Sequence, residues 1–211
     1  MSISYVDYAL EEGFISNWLT AGPQAIPVEV PPELSSDNLT AAVAKMYYER
    51  KSGVTTQPVE RGPLDKGNFQ IGSYRGHWNY TRCQEDHLVD HSTTLPTLTY
   101  LRSWAYTLLV SPEDQEGQFT LITRGPVDVW VNKKLACHTE TFADTLVTTT
   151  FSAPLVKGAN KILVRFAGVA MPDCVLVMGL RVSASDLTVR IPTLIPSITR
   201  RNELEAVNRT V

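Results

Sequence analysis

Hydrophobic and polar positions alternate with a period of two over most of the chain beyond Gly76. Phe119, Leu121 and Thr123 alternate with their neighbours, and Val127, Val129 and Val131 do so with Asp128, Trp130 and Asn132 opposite. Thr97 to Val110 is rich in Leu, Tyr, Trp and Thr, and Val147 to Phe151, Ile162/Val164/Phe166 and Cys174 to Val182 extend the series. Alternation of this kind gives each strand one buried face, and a recurrence of about eight to twelve residues is the rhythm of a sandwich. Breaks fall at Gly125-Pro126, Asn132-Lys133, Lys157 to Asn160 and Met171-Pro172-Asp173. The expected fold is mainly β: an antiparallel β-sandwich of two sheets packed face to face, with one or two short helices.

Four stretches depart from that pattern. Phe14 to Pro23 reads as a short apolar strand ended by a Gly22-Pro23 turn. Asp37 offers an N-cap, after which Leu39, Ala42, Val43, Met46 and Tyr47 recur at helical spacing until Gly53, giving an inserted helix near residues 38–51. The polar run from Ser52 to Gly76 reads as loop with one short strand at most. At the other end, prolines flank Thr193, and Ile198, Arg201, Leu204, Glu205 and Asn208 fall at helical spacing. The expected organisation is a sandwich domain over residues 1–192, then a linker and C-terminal helix over 193–211. That helix either docks on the sandwich or begins a following domain, and the proline-containing linker favours the second.

Composition narrows the function classes. A chain of 211 residues, 43% of them hydrophobic, buries about 70% of its unfolded surface in one substantial core. Nineteen basic against 22 acidic residues leave a net charge of −3, with no basic cluster to grip nucleic acid. No apolar run reaches the roughly 18 residues of a membrane span, and Asp7, Glu11 and Glu12 interrupt any export signal. No membrane partner is expected, and a cytoplasmic location is the default. Three cysteines without CxxC spacing indicate neither a disulfide framework nor a zinc ribbon, and Cys174, alternating with Leu176 and Met178, reads as a buried thiol. No cofactor is expected.

The segment Gly125-Pro126-Val127-Asp128-Val129-Trp130-Val131-Asn132 resembles the "VWVNG" strand and turn of galactose-binding-like sandwich domains attached to glycoside hydrolases. Leu155-Val156-Lys157-Gly158-Ala159-Asn160, running on to Arg165, resembles the strand that follows it there, and Ile15 to Pro23 resembles the opening strand. The resemblance covers Phe14 to Val182 and implies a jelly-roll accessory module, often placed before an all-helical toroidal catalytic domain. Lys133 departs from the pattern. A type I′ turn wants positive φ at both central positions, which costs a residue with a Cβ about 1 kcal/mol, so either the loop is longer or Lys133 is strained.

Candidate chemistry is sparse. In Asp86-His87-Leu88-Val89-Asp90-His91 the two histidines would share a helix face at metal-ligand spacing, but the run lacks the general-base Glu and a third ligand. A surface turn capped by Asp90 is the preferred reading, with no metal. Glu113, Asp114 and Glu116 sit in an evident solvated hairpin, nothing marks an opposed carboxyl pair, and neither a GxSxG elbow nor a phosphate-binding glycine loop occurs. No catalytic residue is assigned. Sugar rings stack on aromatic faces while their hydroxyls take Arg, Asn and Asp, and Trp78, Tyr80 and Arg82 share one strand face. These three are the carbohydrate-binding candidates, although large aromatics more often fill a core.

Three readings follow. The first is a non-catalytic module of a larger carbohydrate-active protein, structural or glycan-positioning. The second is a docking domain for a neighbouring domain of the same polypeptide or a second copy. The third is a glycoside-processing enzyme with its site in or beside the sandwich.

Overall fold

A computed structural model describes residues 3–29, 39–47, 63–71 and 73–193. Strands are numbered along the chain. The main sheet runs β1 (Ser4–Ala9), β16 (Thr188–Thr193), β8 (Thr99–Ser111), β13 (Gly158–Ala170), β10 (Val127–Val131), β11 (Lys134–Thr139). On the edge of β8 away from β13, β16 takes the last turn-proximal residues, while β2 (Asn17–Pro27), itself paired with β5 (Asn79–Arg82), takes Thr99 to Tyr106. The second sheet runs β12 (Val147–Leu155), β9 (Gln115–Thr123), β15 (Val177–Ser183), β6 (Val89–Asp90). Two small hairpin-like pairs, β3 (Asn68–Ile71) with β4 (Tyr74–His77) and β7 (Thr93–Thr94) with β14 (Asp173–Cys174), complete the strands among the described residues. All strand pairs are antiparallel, and from β8 onward the chain passes back and forth between the two large sheets, as in a jelly roll.

Register decides what each face carries. Val127, Val129 and Val131 stand beside Phe166, Val164 and Ile162 of β13, which stand beside Ser103, Ala105 and Thr107 of β8. This face packs on Phe119 and Leu121 of β9 and on Met178, Leu180 and Val182 of β15 in one continuous core. Each large side chain sealed there contributes about 1.5–3 kcal/mol. The opposite face of β8 and β13 is covered too. The helix α1 (Leu39–Met46) buries Val43 against Tyr100, Ala167 and Val169, and Tyr47 stacks on Tyr100 at 4.9 Å. A sheet wrapped on both faces explains why β8 and β13 read as near-continuous apolar runs.

Two local expectations changed. Gly22-Pro23 does not end β2: Gly22 takes φ 109 as part of a bulge between Ala21 and Gln24, and pairing with β8 resumes to Pro27. The polar run before Trp78 holds β3 and β4 as well as Asp65, whose carboxylate is buried. The Asn132-Lys133 turn keeps two residues, with φ 49 and 71, so Lys133 is the strained alternative. Asn132 secures it by donating to Asn160 Oδ1 at 2.7 Å and accepting the Lys161 amide at 2.9 Å. Asp37, the run Ser52 to Gly62 with Gly53 in it, and the C-terminal helix lie outside the described residues.

Candidate functional site: a cleft at the loop end

The three sugar-binding candidates do not share one environment. Trp78 precedes β5, exchanges backbone hydrogen bonds with Lys66 and Gly67, and lies 6.2 Å from the Tyr106 ring at 1% exposure. Its ring faces are taken up by packing. Tyr80 stacks on Tyr8 at 6.0 Å and donates its hydroxyl to Asn17 Oδ1 at 2.7 Å, while its amide donates to Asp65. Burial pushes the Tyr80 phenol well above its usual range, so it stays a neutral donor. Arg82 reaches the surface, where it meets Glu11 at 3.1 Å.

The Asp86–His91 run is not helical. His87 takes φ 57 in a turn, and Asp86 and Asp90 accept the amides of Leu88 and Ser92 in tight local turns. The two rings part company. His87 stacks on Phe14 at 4.5 Å, whereas His91 turns inward, with Nδ1 2.8 Å from Ser103 Oγ and its ring 5.6 Å from Phe166. No group of three or more ligating side chains placed to hold a metal ion occurs among the described residues.

One contact set had no sequence signal because its members lie 71 residues apart. Ser16 Oγ is 3.0 Å from His87 Nδ1, and Glu11 lies 3.7 Å from that same nitrogen. A nucleophile relay needs the carboxylate on the other ring nitrogen and an accessible hydroxyl. Here both partners crowd Nδ1 and Ser16 is 1% exposed, so the set fastens β2 to the turn after β5.

The pocket chemistry lies elsewhere, at the loop end of the sandwich. A cleft of about 470 Å³ is walled by the β9–β10 turn (Arg124, Gly125), the loop at Phe142 to Asp144, the end of β13 (Ala167 to Val169), Asp173 to Val175, and Thr40 of α1. Gly125 is required there because a Cβ would run into the Ala167 carbonyl. Arg124 donates to the carbonyl oxygens of Ala143 and Asp144, which pins the loop that carries Phe142. Asp173 accepts from Thr94 Oγ1 at 2.6 Å. Burial pushes the Cys174 thiol up to about 11, so it faces the cleft as a neutral group. The cleft therefore offers one half-buried ring, a guanidinium, two carboxylates and an apolar floor. Sequence reading missed it because its walls come from five segments joined only by the fold.

Fold and cleft define an antiparallel jelly-roll sandwich with a single-sided, loop-built recess. No protein-family model and no curated protein matches the chain. Among solved structures it is similar to a family 35 carbohydrate binding module from an environmental isolate, at 11% identity and a TM-score of 0.32 over 84% of this chain and 90% of that one. It is also similar to a beta-glucosidase from Kluyveromyces marxianus in complex with glucose, at 13% identity and a TM-score of 0.37 over 56% of this chain. A GH31 alpha-xylosidase from Xanthomonas citri shares 12% identity and a TM-score of 0.31 over 44% of this chain. The chain spans 15% of that beta-glucosidase and 12% of that xylosidase. Overlaps this loose leave each neighbour's ligand and activity with the neighbour.

Proposed function

We propose that the chain is a non-catalytic accessory module that holds a glycan at its loop-end cleft on behalf of a larger carbohydrate-active protein. The observation that supports this reading is the juxtaposition of Phe142 with Arg124, Asp144 and Asp173 around a recess of about 470 Å³. Ligand sites run to about 300–1,000 Å³ and combine apolar walls with a few polar groups. A pyranose places C–H faces and a fan of hydroxyls in just such surroundings. Among the described residues no lid encloses the cleft, so affinity is expected in the millimolar range, about −4 kcal/mol. Binding of that strength suits a module that positions a chain of sugars for a neighbouring domain.

Calorimetric titration with a panel of short oligosaccharides tests this. Saturable binding by the wild type that is lost in Phe142→Ala supports the reading, and equal binding by both proteins refutes it. The docking alternative draws on Val175, exposed at the cleft, and on Leu146 and Met171, exposed in the segments leading from or into its walls. It forecasts no sugar binding at all. Placing the site on Trp78, Tyr80 and Arg82 forecasts binding that ignores Phe142 and responds to Arg82.

A further inference from the structure

We infer that His91 is an acid-sensitive latch on the wall of this cleft, so that protonating its imidazole loosens the wall and weakens the glycan hold proposed above. The inference rests on that reading for its ligand, and on independent geometry for its mechanism.

The residues 91–95 are laced to 172–176 along one seam. The His91 amide donates to the Leu176 carbonyl at 2.9 Å, and the Leu176 amide returns to Ser92 Oγ at 3.1 Å. Thr93 and Thr94 pair with Cys174 and Asp173, Thr94 Oγ1 donates to Asp173, and the Leu95 amide donates to the Pro172 carbonyl. Asp173, Cys174 and Val175 are the cleft wall. Whatever moves the first strand of this seam moves the wall.

The His91 ring anchors the seam from inside. Its Nδ1 meets Ser103 Oγ of β8, a side chain with 0% exposure, and its ring lies on Phe166 of β13. From these two strands the ring meets a hydroxyl and a phenyl, and neither balances a positive charge. Of the other elements packed here, β14 contributes the neutral Cys174 thiol and the Asp173 carboxylate already engaged by Thr94. The charged neighbour on its own strand is Asp90, whose Oδ1 accepts the Ser92 amide. Burial holds the His91 imidazole below the usual histidine value of 6.5, with Asp90 opposing more weakly.

The sign follows from linkage. The folded chain binds the proton less readily than the unfolded one, so the latch is fully closed above pH 6.5 and gives way as pH falls below it. Imidazolium gains hydration only by leaving the core, and the seam must part to release it.

Amide resonances of Thr94, Cys174 and Leu176 followed from pH 8 to pH 5 in the whole chain test the latch without any ligand. They are expected to titrate together with a midpoint below 6.5, and to stay flat in His91→Gln. Asp90→Asn serves as a second variant should His91→Gln fold poorly, and it should lower the midpoint further. Resonances that stay flat in the wild type, or that titrate unchanged in both variants, overturn the latch. With an oligosaccharide present, affinity should fall at least about threefold from pH 7 to pH 5 in the wild type and not in His91→Gln. Titrating amides with no sugar bound at either pH would keep the latch and sink the glycan reading. Sugar binding at Phe142 that ignores pH would do the reverse.

Discussion

Through β8, β13 and β10 the two faces of the main sheet are both buried, yet they are built on opposite principles. The inner face is mainly apolar: Val129 beside Val164 beside Ala105, and Val131 beside Ile162, all packed on β9 and β15. One residue out of phase, the outer face lines up Trp104, Arg165, Asp128 and His138 straight across four strands. Arg165 donates to Asp128 Oδ2 at 2.7 Å, His138 Nδ1 lies 2.7 Å from Oδ1, and the guanidinium lies 5.2 Å from the Trp130 ring. Both Asp128 and Arg165 are almost wholly removed from water. Hydrophobic area stabilises the first face and has no preferred partner. Charge pairing on the second only offsets desolvation, but it fixes which residues must be neighbours.

The contrast predicts graded responses. Phe119→Ala, which deletes a sealed ring stacked on Phe151 at 5.0 Å, should destabilise by about 4 kcal/mol in denaturant melts. Arg165→Met should cost about 3 kcal/mol, because the buried Asp128 carboxylate loses the guanidinium it pairs with at 2.7 Å. Replacing both, as Asp128→Leu with Arg165→Met, should restore most of that loss. A double variant no more stable than the single would mean the pair stabilises outright, and the contrast between faces would fail. Lys133→Gly should gain about 1 kcal/mol by relieving the left-handed backbone.

The smallest effect belongs to the exposed pair Asp7–Arg190, bonded twice at 2.7 Å. Asp7→Asn should change stability by no more than about 1 kcal/mol at neutral pH. The hydrogen bond from Arg190 holds the Asp7 carboxyl below its ordinary 3.8, so the contribution is present above that value. It is lost as pH falls through the lowered value, and Asp7→Asn should converge with the wild type there.

Alternation in β10 made its inward valines legible, and it set Asp128 and Trp130 opposite them, because period-two patterning reports face directly. The Asn132-Lys133 turn was equally plain in position, and only its strain needed coordinates. The fate of Gly22-Pro23 was hidden because a turn-forming dipeptide also makes a bulge when a long neighbour such as β8 pairs on both sides of it. His91 read as part of a polar surface run, and its inward turn is set by contacts with Ser103 and Leu176 that local sequence does not encode. The cleft was illegible for the same reason, since Arg124, Phe142, Gly168 and Asp173 are ordinary turn, loop and strand residues until five segments converge.

The most direct check on the central claim is a map of amide shifts as a soluble oligosaccharide is titrated into the whole chain at pH 7. The account predicts saturating shifts gathered on Gly125, Phe142, Asp144, Gly168 and Asp173, with β5 and the Asn132-Lys133 turn unmoved. Shifts gathered around Arg82 instead, or none across a panel of neutral and charged sugars, would contradict it.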